Sequence, residues 1–517
     1  MKRRTLLITL PLASMTTTAA PGPSTRFAFD EATLAALAAR LQGGRLSAKA
    51  LAAAYEARIA AIDQRAPRIS AVIEINPDAL PIAAELDRER KTGRVRSPLH
   101  GIPVLIKDNI ATADRMQTTA GSLALVGVKP PRDAFIVQRL RAAGAVILGK
   151  NNLSEWANFR STRSVSGWSA RGGLTRNPYA LDRNSSGSSS GTAVAIAANL
   201  AAVGIGTETD GSIVSPASAC GVVGFKPTVG LVSRDGIVPI SHSQDTAGPI
   251  TRTVTDAAVV LSAIAGGDKA ADDYSRWLDA DGLRGARIGV VRNFMSGHPA
   301  TDALFEGALR TLAARGATLI DPAVIPNSDK LSAPELEVLL TEFKAGMAVY
   351  LAEFAAEAPV KSLSHLIAFN QQHAAREMPF FGQELFERAA AKGDLNDSLY
   401  RDALANCRKF ARDEGLDVVL REHRLDALVA PTRGPAWLTD FVLGDRPGQG
   451  FSRPAAVAGY PHITVPMGFV SGLPVGLSFV GAASADGPLL KFAYAFEQAS
   501  PARRPPQFLR TAEIAST

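Results

Sequence analysis

The sequence predicts an α/β protein with a central β-sheet surrounded by helices. Its 517 residues are 46% hydrophobic and 20% charged, which is enough apolar surface for a large core and unlike a disordered chain. Short apolar runs rich in β-branched residues alternate with amphipathic stretches along most of the chain. No internal repeat and no long linker divides it, so we expect one large domain.

The N-terminal half is predicted to begin with helices and then to alternate with strands. Ser47 is placed to cap a helix with Leu51, Tyr55 and Ile59 on one face. The wholly apolar run 101–106 predicts a strand buried on both faces. Further helices are predicted at 32–41, 83–91, 136–143, 192–200 and 301–315, and further strands at 145–148, 202–205, 286–291 and 317–320. This alternation favours a largely parallel sheet.

The C-terminal part is predicted to be helical first and to return to strands at its end. Helices at 335–357, 363–373 and 397–414 form a helical subregion from about 330 to 420. Strands at 427–430, 463–467 and 472–480 are expected to rejoin the sheet. We expect the complete sheet to be mixed.

The first twenty residues have the three-part plan of a secretory signal peptide. Lys2, Arg3 and Arg4 form a basic start, residues 6–15 a short apolar run, and residues 16–20 are all small. The run is too short to anchor the chain in a bilayer and is broken by Pro11. We therefore expect a signal peptide over 1–20, a mature domain over 21–517, and a periplasmic or secreted protein. An uncleaved N-terminus is the alternative.

Charge and cysteine content exclude several classes of protein. The formal charge of +7 falls by three to +4 without the basic start, and the remaining charges are scattered, which disfavours a nucleic-acid partner. Cys220 and Cys407 are too few for a disulfide scaffold or a cysteine metal site, and we expect two buried thiols rather than one bridge. None of the seven histidines has metal-ligand spacing.

Two serine-containing segments are predicted to meet at one edge of the sheet. The loop Asn184–Gly191 opens a predicted helix, which favours an ordered loop over a flexible linker. The strand after that helix leads into Thr207–Ser212. In a right-handed βαβ unit both loops lie at the carboxyl edge, which brings Ser188 and Ser212 together.

Lys107 is a candidate base for activating a serine hydroxyl. It directly follows the buried strand 101–106, where desolvation lowers the pKa of an amine from its usual value of about 10.4. A serine becomes a nucleophile only when a base removes its proton. The alternative is an ordinary lysine whose head group reaches water.

These residues lie in segments that resemble the amidase signature family. Three segments carry the resemblance, GIPVLIKDNI at 101–110, NSSGSSSG at 184–191 and GTETDGSIVSPASACGVVGFKPT at 206–228. Further segments at 149–161, 229–250, 377–387 and 456–481 are similar to bacterial peptide amidases. The resemblance covers nearly all of the chain after residue 20 and implies the single α/β amidase-signature domain.

The resemblance also implies the roles of individual residues. Lys107 is the base, Ser188 a bridging serine that follows a cis peptide bond, and Ser212 the nucleophile. The oxyanion hole falls on the backbone N–H groups of Thr209, Asp210, Gly211 and Ser212. The chain departs from most members at Asp210-Gly211 and at Val214, changes that narrow the substrate rather than remove the triad. It also has Ser185-Ser186 where Pro-Gly or Gly-Gly is common, which leaves the backbone path of the serine loop open.

The implied activity is hydrolysis of carboxamides, most of all the C-terminal amide of peptides, to a free acid and ammonia. It proceeds through an acyl-enzyme and needs no cofactor and no metal. Hydrolysis of aryl-acylamides, fatty amides or carbamates uses the same triad and stays open. The family's tRNA-linked amidotransferases are disfavoured, since an exported protein does not meet tRNA.

Three other interpretations are weaker. Gly187-x-Ser189-x-Gly191 fits a nucleophile elbow, which would require Ser189 with a later acid and base such as Asp426 and His462. The segment 144–150 imitates a phosphate loop but has a strand-like apolar interior. An exported peptide-binding protein fits the size and composition, but it has no use for a strand-terminal lysine and two loop serines.

Overall fold

The structure, a computed structural model, describes residues 27–267 and 272–513. By its internal contacts the chain divides after Asp30 into a short unit, 1–30, and a large unit, 31–517. The predicted signal peptide lies outside the described residues. Of the short unit only 27–30 are described, and they form a turn. Among the helices of the described ranges, none has the length and apolarity needed to cross a bilayer.

The large unit is built around an 11-stranded sheet, with a two-stranded sheet beside it. The strands in chain order are β1 Val72–Ile75, β2 Pro103–Lys107, β3 Val146–Asn151, β4 Trp168–Ser169, β5 Gly173–Leu174, β6 Val203–Glu208, β7 Val223–Lys226, β8 Thr246–Thr251, β9 Arg287–Val290, β10 Thr318–Ile320, β11 Ala427–Pro431, β12 His462–Val470 and β13 Leu473–Val480. The large sheet has the order β1-β3-β2-β6-β8-β7-β12-β13-β11-β9-β10.

The sheet is mixed, as predicted, but the expectation that it is largely parallel is wrong. Parallel pairing is confined to β3-β2-β6 and β11-β9-β10, whereas β8, β7, β12 and β13 pair only antiparallel with their neighbours. Periodicity missed β7, which has only four residues, and β8, which is interrupted by Gly248-Pro249, because neither is an unbroken apolar run.

Helices cover the sheet and form the predicted C-terminal subregion. They are α1 Leu34–Gln42, α2 Ala48–Arg58, α3 Ala79–Lys91, α4 Phe135–Ala142, α5 Ser190–Ala197, α6 Val214–Ala219, α7 Val254–Ile264, α8 Pro299–Ala314, α9 Ser332–Phe354, α10 Leu363–Gln372, α11 Ala374–Glu377, α12 Glu384–Ala390, α13 Ser398–Arg408, α14 Asp417–Glu422, α15 Arg453–Ala458 and α16 Asp486–Ala499. Ser47 caps α2, as predicted, by accepting from the Ala50 N–H at 3.0 Å. The subregion corresponds to α9–α14.

The helix α5 packs deep in the molecule and fixes the serine-rich loop before it. All eight of its residues are buried, because its sequence is small or apolar on every side. At its second residue, Gly191, the N–H donates to the Asn152 carbonyl at 3.0 Å. A Cβ on Gly191 would lie 2.3 Å from that carbonyl oxygen and 2.4 Å from that of Ala71. The absence of a side chain therefore lets α5 begin against the end of β3.

We predict that Gly191→Ala destabilises the protein by at least about 2 kcal/mol, because backbone atoms cannot yield to the new methyl group. Denaturant unfolding at equilibrium measures this. Gly307→Ala is the matched control, since its Cβ meets only the flexible end of Arg310 at 3.6 Å. Within α8 the control should stabilise by roughly 0.5–1 kcal/mol. Equal midpoints for the two variants would contradict the packing argument.

Candidate active site

Three segments converge where the parallel strands β3, β2 and β6 end. Lys107 is the last residue of β2, which lies between β3 and β6. The loop 184–189 leads into α5, and the loop 209–213 follows β6. All three segments therefore reach the carboxyl edge of these strands, as the βαβ argument predicts for the two serine loops.

Lys107 is fully buried, so the alternative of a lysine with a wet head group is wrong. Its Nζ lies 2.8 Å from Ser188 Oγ, 2.9 Å from Thr207 Oγ1, 3.1 Å from Ser189 Oγ and 3.2 Å from the Thr207 carbonyl. These are neutral oxygens. Burial lowers the pKa of Lys107 to about 7, and the negative charges of Asp245 and Glu208 oppose that shift. The amine can therefore lose its proton near neutral pH.

The serine loop has an unusual backbone and is hydrogen-bonded to neighbouring segments. The Gly187–Ser188 peptide is cis, which the family resemblance predicts. The Ser188 carbonyl accepts from the Ser154 N–H at 3.1 Å. The Ser189 N–H donates to the Ser212 carbonyl at 3.1 Å, so the two serine segments are directly bonded. The predicted meeting of Ser188 and Ser212 is thus confirmed at the level of their loops.

The loop after β6 presents amide groups. Glu208 Oε2 accepts from the N–H groups of Ile213 at 2.7 Å and Val214 at 3.0 Å. In the part of the chain that the structure describes, the N–H groups of residues 209–212 have no acceptor. The Ser212 hydroxyl likewise makes no hydrogen bond to a described residue, and Ser212 is 9% exposed. The Lys107–Ser188 contact is therefore formed, while the link from Ser188 to the Ser212 hydroxyl is not.

Asp245 is a neighbouring charge that the sequence did not single out, although it lies inside the matching segment 229–250. The Asp245 carboxylate accepts from Thr209 Oγ1 at 2.6 Å and from the N–H groups of Ile240 and Ser241 at 2.8 and 2.9 Å. Burial raises its pKa to about 6. Asp245 thus holds the first residue of the 209–212 loop and places a negative charge near Lys107 at neutral pH.

A cavity of about 530 Å³ opens beside Gly187 and Gly211, next to the two serine segments. Hydroxyl side chains dominate its wall, namely Ser161, Thr162, Ser164, Ser166, Ser186, Ser215, Ser328, Thr432 and Ser452. Its charged residues are Asp210, Arg433, Asp445 and Arg453. Large apolar side chains are few, chiefly Phe294 and Trp437. Such a wall suits a ligand that carries many hydrogen-bonding groups.

The nucleophile-elbow interpretation is wrong. His462 is buried with Nε2 2.6 Å from Ser478 Oγ, and burial lowers its pKa to about 3. Asp426 accepts from the Arg287 N–H at 2.8 Å. Ser189 instead contacts Lys107, so the three groups do not form a catalytic set.

The other residues that the sequence singled out have structural roles. The phosphate-loop imitation is strand β3, and its Lys150 is buried and donates to the Ile110 carbonyl at 2.6 Å. Cys220 and Cys407 are buried free thiols, so a bridge between them is wrong. Buried His100 lies 2.9 Å from the Leu86 carbonyl through Nε2. Within residues 27–267 and 272–513, no group of three or more His, Cys, Asp or Glu is arranged to hold a metal.

Several known proteins are similar to this chain over most of its length. A family model described as "Amidase" matches residues 50–490. A probable amidase of Arabidopsis thaliana is 42% identical, over 94% of this chain and 93% of that protein. A crystal structure of peptide amidase from Stenotrophomonas maltophilia has 54% identity and a TM-score of 0.90, over 93% of this chain and 99% of that one. A glutamyl-tRNA(Gln) amidotransferase chain of Thermosynechococcus vestitus is 34% identical, over 88% of this chain and 95% of that protein.

We predict that the buried amine of Lys107 makes stability depend on pH. Its pKa is about 7 in the folded chain and about 10.4 when unfolded, so the unfolded chain binds more protons between these values and stability rises with pH there. Lys107→Met should abolish this part of the rise, so that wild type gains roughly 2 kcal/mol more than the variant from pH 7 to 9. Urea unfolding at both pH values measures the difference.

Comparing the two pH values cancels any effect of the substitution on the free energy of unfolding that does not depend on pH. The loss of hydrogen bonds between the amine and its neighbouring hydroxyls is such an effect. Lys49→Met is the control, because Lys49 is exposed. A Lys107→Met variant with the same pH dependence as wild type would contradict the lowered pKa.

Proposed function

Because the chain belongs to the amidase family and is a hydrolase that acts on amides, we propose that it removes the C-terminal amide of peptides. The products are a peptide acid and ammonia. The observation that carries this proposal is the contact between buried Lys107 and Ser188 beside a hydroxyl-lined cavity. Neutral oxygens around Nζ keep the amine available as a base near neutral pH.

In the proposed first step, Ser212 attacks the carbonyl carbon of the amide. Its proton passes to Ser188 Oγ as the Ser188 proton passes to neutral Lys107. The 2.8 Å contact between Lys107 Nζ and Ser188 Oγ supports the proton transfer from Ser188 to Lys107. The transfer from Ser212 to Ser188 requires the Ser212 hydroxyl to turn towards Ser188 once substrate is bound. The result is a tetrahedral intermediate bonded to Ser212 and a charged Lys107.

The proposed oxyanion hole is the row of N–H groups from Thr209 to Ser212. These groups have no acceptor among the described residues, whereas the next two N–H groups are already bound by Glu208. Donors held in place before the reaction stabilise the developing negative charge without reorganising. Collapse of the intermediate, with the proton returned through Ser188, releases ammonia and leaves an acyl-enzyme. Water then hydrolyses this ester by the same route, and no step requires a cofactor or metal.

The cavity favours a peptide over a fatty amide as the acyl part of the substrate. Its wall is mainly polar, so a peptide backbone can replace the hydrogen bonds that the wall makes to water, whereas a long alkyl chain would displace that water and offer none. The 54% identity to a peptide amidase supports the same choice. Aryl-acylamides and carbamates use the same chemistry and are distinguished by the experiment below.

We also propose that the protein is exported. The proposal rests on the basic, apolar and small segments of residues 1–20. It also disfavours the role that the name of the amidotransferase relative describes, since tRNA is cytoplasmic. N-terminal sequencing of the protein from the periplasm tests it, and a chain that still begins at residue 1 in the cytoplasm would refute it.

We expect wild type to release ammonia from an N-protected dipeptide amide and to leave the corresponding free acid intact. Ser212→Ala should abolish turnover without changing the fold, because Ala has no hydroxyl to attack the carbonyl. Ammonia assay and circular dichroism measure the two properties. Ser275→Ala is the control, since the Ser275 hydroxyl donates to Asp273 in an exposed hydrogen bond at 2.6 Å that does not involve the serine loops.

The same assay includes an acyl anilide, a long-chain fatty amide and an aryl carbamate. A preference for any of these would replace the peptide amide as substrate and keep the triad. Full activity of Ser212→Ala would refute the proposed nucleophile, and no turnover of any compound by wild type would favour the peptide-binding alternative.

We predict that kcat/KM decreases as the pH falls below about 7, because only neutral Lys107 accepts a proton. This decrease forms the acidic limb of the pH–rate profile. The negative charge of Asp245 raises the pKa of Lys107, so Asp245→Asn should move the limb to lower pH. Asp235→Asn is the control, since Asp235 is exposed and paired with Arg132. A limb that stays in place in Asp245→Asn would show that the ionisation seen is not that of Lys107.

A further inference from the structure

Arg433 lies just after β11 and forms part of the cavity wall, yet it is only 8% exposed. Its Nη1 donates to the hydroxyls of Ser186, at 3.0 Å, and Ser215. Its Nη2 donates to the Pro447 carbonyl at 3.1 Å, and its guanidinium carbon lies 4.8 Å from the centre of the Trp437 ring. The planar guanidinium group of Arg433, the fork, is thus held by two hydroxyls, a carbonyl and an aromatic ring.

The two hydroxyls belong to the two segments that must cooperate in the proposed reaction. Ser186 precedes Ser188 by two residues, and Ser215 follows Ser212 by three. Their Oγ atoms lie 2.8 Å apart and share the same guanidinium nitrogen. A strand distant in sequence therefore joins the serine loop to the start of α6.

The backbone at Ser186 shows why such a tie is needed. Ser186 has φ of +59°, in the left-handed region that side chains other than glycine rarely adopt. Its N–H donates to Asn184 Oδ1 at 2.7 Å, and its carbonyl accepts from Ser190 Oγ at 2.6 Å. A strained residue persists where its surroundings over-determine it. The bond from Arg433 adds an anchor that comes from outside the loop.

The charge of Arg433 argues against a role in packing alone. Among the described residues no carboxylate forms an ion pair with it, and Asp445 and Asp210 act only from a distance. Burial lowers its pKa to about 10, so it remains charged at neutral pH. A buried cation costs stability that an apolar side chain of similar size would not. The cost is understandable if the fork holds two loops in register.

We infer that Arg433 is a positioning residue, which sets the separation of Ser188 and Ser212 by holding Ser186 and Ser215 together. The inference rests on the proposed function. It concerns the chemical step rather than substrate binding, because the bonds of the fork go to the protein's own hydroxyls. A displaced pair of serines slows proton transfer and attack even when the substrate still binds.

The test compares kcat and KM of Arg433→Gln with wild type on the peptide amide. We expect kcat to fall about a hundredfold, the effect of a displacement of about 1 Å, with KM within about threefold. Guanidinium chloride, far below concentrations that unfold the protein, should restore part of kcat, whereas sodium chloride should not. Arg163→Gln is the control, since the guanidinium of exposed Arg163 contacts, among the described residues, only the Val442 carbonyl at 3.4 Å.

A raised KM with unchanged kcat would overturn the inference, because that split marks a direct contact with substrate. Unchanged kinetics in Arg433→Gln would overturn it too, while wild-type turnover in the same assay leaves the proposed function standing. An inactive wild type would refute both.

If Arg433→Gln does not fold, Ser215→Ala carries the test, because it removes one of the two tied hydroxyls and keeps the guanidinium. We expect its kcat to fall about tenfold at unchanged KM, a smaller loss because Ser186 stays bound to Arg433. A kcat equal to that of wild type would overturn the inference.

Discussion

The arrangement of this site depends on a lysine amine that is removed from water and surrounded by neutral oxygens. Lys107 has no ion-pair partner in the described part of the chain. A carboxylate in contact with Nζ would favour the charged form and raise the pKa again. The acids whose charges act on it, Asp245 and Glu208, instead bind a hydroxyl and amides of the adjacent loop. Their negative charges only partly oppose the effect of burial, so the pKa of Lys107 stays at about 7 and the lone pair is accessible near neutral pH.

The sheet order explains how such an amine meets its partners. Because β2 lies between β3 and β6 and all three run parallel, the loops after them and the start of α5 share one edge. Close packing is then required, and it is met by a glycine at 191 and a left-handed serine at 186. The antiparallel strands do not contribute to this edge in the same way. One of them, β8, begins directly after Asp245 and so places that carboxylate beside the loop.

Whether a feature could be predicted from the sequence depends on how far apart in the chain its interacting residues lie. Lys107, Ser188 and Ser212 lie in segments whose residue types and spacing are informative in themselves, and the βαβ argument brings the two serines to one edge. Arg433 lies 247 residues from Ser186, and no local pattern marks it as a partner of that loop. Asp245 has the same difficulty, since it follows a loop and precedes a strand with Gly and Pro. The parallel expectation failed because strand pairing in the middle of the sheet is decided by contacts between distant segments.

The same division separates the chemistry from the choice of substrate. The proposed base, serines and amide donors all come from residues 107–212, within the most recognisable part of the sequence. The cavity wall comes partly from the two serine segments, and otherwise from Ser161 and its neighbours, from Phe294 and Ser328, and from the long segment 432–453. Some of these residues also support the serine loops. Arg433 binds Ser186 and Ser215, and Asp445 accepts from the side-chain amide of Asn184. Substitution at wall positions outside these contacts, such as Phe294, is therefore free to alter specificity, whereas at Arg433 a change of specificity is tied to a change in the chemical step.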